Sequence, residues 1–173
     1  TLGKYLFFDP ILSGNNKRAC ASCHNPKFGY SDSVIKNRHY ENNKELLKRN
    51  TPTLLNAFLQ RSFFYDGRSL QMEDQVSDVL HNSTEMNSTP ELMVKKLRES
   101  TEYKQLFTKA FKGTGDTAIT FYAVLKSLAE YEKKLVSLNS RFDKYLRGNP
   151  KALTINEIKG YNLFSGKALC GTC

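Results

Sequence analysis

Tryptophan is absent from the 173 residues, and histidine occurs only three times, cysteine four times and proline five times. Without an indole, aromatic packing falls to eleven phenylalanines and nine tyrosines. Any imidazole chemistry has three candidates, His24, His39 and His81. No run of about 18 apolar residues occurs, so no membrane-spanning helix is expected. No period-2 run of β-branched residues occurs either, which argues against strands. The chain lacks a basic stripe interleaved with aromatics and any nucleic-acid motif, so no nucleic acid partner is expected. No signal-peptide pattern is visible, and Thr1-Leu2-Gly3-Lys4 does not read as a translation start; the expectation is a trimmed, mature chain.

Hydrophobic residues make up 39% and charged residues 25%, enough for a core but not a generous one. The length suits one large domain, or one domain and part of another. A buried prosthetic group would add apolar surface for side chains to pack against. The formal net charge of +9 is spread along the chain, at Lys17-Arg18, Lys48-Arg49, Lys95-Lys96 and Lys133-Lys134 among others. Scattered charge of this kind usually marks solvated faces. Its sharper reading is an electrostatic footprint for an acidic partner, such as an electron-donor protein.

The most specific motif is Cys20-Ala-Ser-Cys23-His24, the attachment signature of c-type haem. Each cysteine sulfur can bond to one vinyl group of the macrocycle, and the turn between them brings the histidine under the iron. A CxxC pair can also be a thioredoxin-like redox site, half of a zinc site or a disulfide. The redox reading expects a βαβ pattern, which is missing. A Cys₄ zinc centre usually has its pairs roughly 15–20 residues apart, far closer than Cys23 and Cys170. Cys170-Gly-Thr-Cys173 closes the sequence as the same motif without its histidine. Covalent haem implies export in a bacterium, hence a periplasmic location, because the thioether bonds are made outside the cytoplasm.

The remaining pattern is helical, with long irregular stretches. A helix is expected to carry the haem motif at 18–24, and 25–50 reads as a long loop, a length usually kept for function. Residues 69–81 place Leu70, Val76, Val79 and Leu80 on one face. Thr89-Pro90-Glu91 is a helix start, with an N-cap threonine, a first-turn proline and an acid at the positive dipole end, and that helix should run to Arg98. Further helices are expected at 101–112, 117–137 and 140–147. Thr154 and Glu157 form a capping box that opens another. His81, at the end of its helix, suits the negative dipole end. Gly148-Asn149-Pro150 is the candidate boundary, giving an N-terminal domain 1–148 and the start of a second at 149–173. Leu2-Gly-Lys-Tyr-Leu-Phe7 before Cys20 is echoed by Ile158-Lys-Gly-Tyr-Asn-Leu-Phe164 before Cys170.

With these residues assembled, the chain resembles the bacterial dihaem cytochrome c peroxidases. The matching segments are Leu2-Gly-Lys-Tyr-Leu-Phe-Phe-Asp-Pro10, Cys20 to His24, Arg49-Asn-Thr-Pro-Thr-Leu-Leu-Asn56, Phe64-Tyr-Asp-Gly-Arg68, Gln75, Glu85-Met86, Arg141-Phe-Asp143 and Gly160 to Cys173. Family members are about twice as long. The resemblance implies an all-α, cytochrome c-like haem domain with long loops, followed by the entrance to a second. It implies two covalent haems at full length, with Cys20, Cys23 and His24 serving the first and Cys170 and Cys173 the second. It places Gln75 and Glu85 on the side where hydrogen peroxide binds. Glu85 would move a proton between the peroxide oxygens, and burial should raise its pKa toward neutrality. Tyr65 stands where relatives carry a tryptophan between the haems. Arg68 and Arg49 would pair with haem propionates or brace loops, and Asn50 matches a calcium ligand. His39 is the candidate for a distal iron ligand, although the count back from Arg49 falls on Asn42. The partners implied are a small cytochrome or cupredoxin donor and, at full length, a second copy in a homodimer.

The leading expectation is therefore reduction of hydrogen peroxide to water with electrons relayed through a second haem. Residues 1–173 by themselves are expected to show little steady-state activity. The alternatives are an electron-transfer cytochrome without peroxide chemistry, and a relative that oxidises a partner protein. Gln75 and Glu85 favour the first, since a pure electron carrier needs no distal acid.

Overall fold

In a computed structural model, residues 1–40 and 45–172 are described. Seven α-helices, connected by 3₁₀ turns and irregular loops, form the described residues, and there are no strands among them beyond three isolated bridges. The chain divides into two compact units, Thr1–Val136 and a second that begins at Ser137.

In the first unit, α1 (Leu2–Phe8) ends where Pro10 forces Asp9 out of helical geometry. The Asp9 carboxylate then accepts from the Ile11 N–H at 2.8 Å and opens a 3₁₀ turn. Four more helices come after the long loop: α2 (Met72–His81), α3 (Pro90–Glu99), α4 (Thr101–Ala110) and α5 (Phe121–Glu132). Thr89, Ser100 and Thr120 accept N–H bonds at the starts of α3, α4 and α5, as N-cap hydroxyls do. The fully buried centre joins Leu6 and Phe7 of α1 to Leu80, Met93, Leu97, Phe107, Val124 and Leu128.

Two expectations shift and one holds. α5 is shorter than 117–137, because Gly115–Ala118 turns as a 3₁₀ helix and Thr120 caps only the segment from Phe121 onward. Leu70 lies outside α2 and is exposed; Met72, Val76 and Leu80 form the buried stripe instead. His81 does end α2, with Nδ1 2.7 Å from the Ser77 carbonyl oxygen.

α1 and α5 cross at Gly3. A Cβ placed there would lie 1.8 Å from the Ser127 carbonyl oxygen and 2.9 Å from Tyr131 Cβ. Glycine is required because backbone meets backbone at the crossing. At the other end of α5, Glu132 is 7% exposed, and among the described residues its carboxyl finds no hydrogen bond and no cation. Burial alone raises its pKa from the ordinary 4.5 to about 7.

In the second unit, α6 (Arg141–Leu146) and α7 (Ile155–Ser165) are joined by a fork from Arg141 to both Glu157 oxygens, at 2.7 and 2.6 Å. Phe142 meets the Tyr161 ring edge-on at 5.0 Å. These contacts explain why the compact units part between Val136 and Ser137 and not at Gly148-Asn149-Pro150. That tripeptide is a turn inside the second unit, with Gly148 at φ 93°. The sequence echo is also a structural one: α1 and α7 each precede a 3₁₀ turn that begins at the first cysteine of a pair.

Gly3→Ala should destabilise the protein by roughly 1–3 kcal/mol in chemical denaturation, because neither backbone can yield; Gly160→Ala, with nothing within 4 Å, should not. Glu132 stays protonated in the fold and ionises when unfolded, so native protein binds the extra proton between pH 4.5 and about 7. Stability should therefore fall across that window as pH rises, by on the order of 3 kcal/mol, and Glu132→Gln should flatten the profile.

Candidate haem site

The motif folds as one tight turn and not as the helix expected at 18–24. Cys20–Ser22 is 3₁₀, the Ser22 hydroxyl accepts from the Ala19 N–H at 3.0 Å, and the His24 N–H donates to the Cys20 carbonyl at 2.9 Å. Pro26 bars Asn25 from helical geometry and ends the run. Cys20 and Cys23 are free thiols, both partly buried. Burial, reinforced by the Glu132 carboxyl, pushes Cys20 up to about 12; burial, opposed by Arg18, pushes Cys23 up to about 11. Both remain protonated thiols near neutral pH.

His24 is held by its backbone-facing nitrogen. Nδ1 lies 3.0 Å from the Tyr30 carbonyl oxygen. A proton on Nδ1 donated there leaves the Nε2 lone pair as the ring's ligating group. Burial lowers the His24 pKa, against the pull of the Tyr30 and Pro52 carbonyls, so the ring is neutral near pH 7. Tyr30 is fixed in turn. Its N–H donates to the Asn25 carbonyl at 2.9 Å, and its carbonyl also accepts from the Leu54 N–H at 3.2 Å. Its hydroxyl is 3.2 Å from the Tyr131 hydroxyl, and its ring packs edge-on against Phe7 at 6.1 Å. Tyr30 sits at φ 58°, a left-handed geometry that costs a non-glycine residue about 1–2 kcal/mol.

Glu85 lies on the turn after α2. Its Oε2 accepts from Asn82 Nδ2 at 2.9 Å. Burial raises its pKa, opposed by the Asn82 bond and then by the Arg68 and Arg18 guanidiniums. Its charge in turn raises the Cys23 thiol, which puts the carboxyl within electrostatic reach of the haem motif. Gln75 is half-buried on α2, one turn before Asp78 on the same face. Arg68 Nε stands 3.7 Å from Asp78 Oδ2, which ties that face to the charges around Glu85. The His39 backbone joins the same region: its carbonyl accepts from Arg18 Nη2 at 3.3 Å. Asn42 lies outside the described residues.

A second group gathers Arg49, Asn50, Tyr65, Asp66 and Arg68. The Tyr65 hydroxyl donates to Asn50 Oδ1 at 2.5 Å, and the Arg49 guanidinium sits 5.7 Å from the Tyr65 ring centroid. Arg68 grips Asp66 through Nη1 at 2.9 and 3.1 Å and lies 3.4 Å over the Phe64 ring. Tyr65 is 60% exposed and the ion pairs are open to water, so they brace the loop more than they stabilise the fold. Among the described residues no three His, Cys, Asp or Glu side chains form a metal cage. Cys170 opens its 3₁₀ turn exposed; Cys173 lies outside the described residues.

Three contributors escape a reading of the sequence. Arg18 looks like one base among many. Tyr30 acts through its carbonyl, which no side-chain motif reveals. Glu132 did leave a signal, an acid on the apolar face that continues from Leu125 and Leu128 to Leu135.

The residues present fit a covalently attached haem. Two free thiols share one turn, a neutral imidazole keeps Nε2 available, and the loops beyond carry apolar side chains that protein does not cover: Phe28, Leu46, Phe58, Leu59 and Leu70. Fold and motif define a helical protein of the c-type haem class. The profile of the family described as di-haem cytochrome c peroxidase matches residues 1–151, and the chain belongs to that family. It is 36% identical over 172 residues to cytochrome c551 peroxidase of Nitrosomonas europaea, covering 99% of this chain and 50% of that protein. The likeness to methylamine utilization protein MauG of Methylorubrum extorquens is equal in identity, 36% over 172 residues, with 99% and 48% covered. Among solved structures, a MauG-like protein associated with microbial copper homeostasis superposes with a TM-score of 0.84 at 24% identity, over 99% of this chain and 50% of that one. The chain thus spans about half the length of these relatives.

Replacing both Cys20 and Cys23 with serine should yield protein whose mass carries no haem at the first motif. His24→Ala should keep the covalent mass and lose the imidazole ligand from the visible spectrum. Intact mass spectrometry with absorption spectroscopy checks both.

Proposed function

We propose that the chain carries the peroxide-reducing site of an exported, periplasmic bacterial dihaem peroxidase, supplied with electrons by a small donor protein. The family and its curated relatives support oxidoreductase chemistry of the peroxidase type. No described helix is long and apolar enough to cross a membrane. The observation that carries the reading is Glu85: a partly buried carboxyl with a raised pKa, in electrostatic reach of the haem-attachment motif.

When bound, the haem supplies the iron at which peroxide is reduced and the path by which electrons arrive. Cys20 and Cys23 hold it, and His24 offers Nε2 to the metal. Glu85, as carboxylate, takes a proton from one peroxide oxygen and returns it to the departing one, so that H₂O₂, two electrons and two further protons leave as two waters. Gln75 orients peroxide or water through its amide, which both donates and accepts. Arg68 and Arg18 oppose the effect of burial and keep the carboxylate accessible as a base. Cys170 and Cys173 would attach the second haem. Tyr65, hydrogen-bonded to Asn50, would lie on the route between the two, and Asn50 would offer its amide oxygen to calcium. His39 would serve as the removable distal ligand.

In the full-length, haem-loaded protein, Glu85→Gln should lower peroxide consumption by roughly 10²–10⁴-fold with haem content unchanged. Because the base must be ionised, wild-type turnover should rise with pH through a midpoint above the ordinary carboxylate value. That limb should vanish in the variant. Unchanged turnover would remove Glu85 from the mechanism.

A further inference from the structure

We infer that Arg18 is the positioning residue that sets Glu85 against the haem-attachment turn, a role that rests on the reading of Glu85 as the proton-carrying group. Its guanidinium bonds to two chain segments remote from each other in sequence: Nη1 donates to the Glu85 carbonyl at 3.4 Å and Nη2 to the His39 carbonyl at 3.3 Å. It also lies 5.7 Å from the centroid of the Tyr40 ring. Each bond is long. Their weight lies in geometry, because one planar group addresses the Glu85 turn, the 38–40 segment and, through its own backbone, the turn two residues on that begins at Cys20.

The base of this side chain is fixed independently. The Arg18 and Lys17 N–H groups both donate to Ser13 Oγ at 3.2 Å, and that hydroxyl donates to the Pro10 carbonyl at 2.9 Å. Ser13 is fully buried. Lys96 Nζ reaches across from α3 to the Ser13 carbonyl at 2.6 Å and to Asn16 Oδ1 at 2.7 Å, with the Ile11 and Gly14 carbonyls at 3.3 Å. The loop before the motif is therefore anchored to the helical core before Arg18 extends from it.

The backbone repeats the connection on either side. Gly14 N–H donates to the Met86 carbonyl at 2.9 Å, and Tyr40 N–H to the Thr84 carbonyl at 2.8 Å. A Cβ at Gly14 would lie 2.2 Å from the Asn87 carbonyl oxygen, so the loop and the Glu85 turn touch backbone to backbone. Arg18 closes this three-segment junction at the residue that carries the carboxyl. Lysine keeps the charge but not the planar fork, and one ammonium cannot address two carbonyls on separate segments in the same directions.

The test uses Arg18→Lys and Arg18→Gln in the full-length, haem-loaded protein, alone and with Glu85→Gln. Hydrogen exchange should quicken by about tenfold in residues 38–40 and 82–87 in both variants, as expected when a charge-assisted bond to each segment is lost. Exchange in α1 and α5 should not change. Peroxide turnover should fall in both single variants, and Arg18→Gln should add no further loss in the Glu85→Gln background. Wild-type exchange in either variant, or full restoration of turnover by lysine, would overturn the positioning role. Arg18→Lys carries the test if the glutamine variant fails to fold. Full turnover in Glu85→Gln alone would instead overturn the assignment of Glu85, leaving the exchange result to decide what Arg18 anchors.

Discussion

The contact between His24 Nδ1 and the Tyr30 carbonyl is the interaction on which the site depends. It leaves Nε2 as the ring's ligating nitrogen, and it transmits the rigidity of the core to that nitrogen. Tyr30 reaches the core through the Tyr131 hydroxyl and the Phe7 ring, which belong to the two helices that cross at Gly3. The imidazole is thus oriented by α1 and α5, although neither helix touches it with a motif residue. The left-handed backbone at Tyr30 is the local expense of turning its carbonyl toward both His24 and Leu54.

One buried and one partly buried carboxyl frame the motif in different ways. Glu132 acts on Cys20 and meets no polar partner among the described residues, so burial acts unopposed and raises its pKa to about 7. Glu85 acts on Cys23 and is answered by Asn82, Arg68 and Arg18, so burial is opposed and the group can exchange its proton. One acid is shifted by burial alone, while in the other an amide and two guanidiniums offset part of the effect of burial.

The features legible in the sequence are those whose signals are local. Helix starts at Thr89 and Thr154 depend on a hydroxyl and an N–H three residues away, and α3 and α7 begin where the capping patterns put them. The haem motif is local too, and so is the turn that carries it. Its conformation is 3₁₀ and not α-helical because Pro26, beyond the motif's end, stops the helix that the motif alone suggests. Some of the residues taken from family resemblance gather in two groups, Glu85 with the motif and Tyr65 with Asn50, Arg49 and Arg68. Arg18 and Lys96 are invisible in the sequence because their work is to bind carbonyls of distant segments, and carbonyls carry no side-chain signature.

The pairing of the first helix with the fifth has a kinetic corollary. These contacts span most of the first unit's length, so a growing or refolding chain must close a very long loop before its central packing can form. The segment with both thiols lies inside that loop, near its beginning. It is consequently accessible as open polypeptide until α5 arrives, which gives a ligase that joins macrocycle to cysteine a period in which to act on an unfolded substrate.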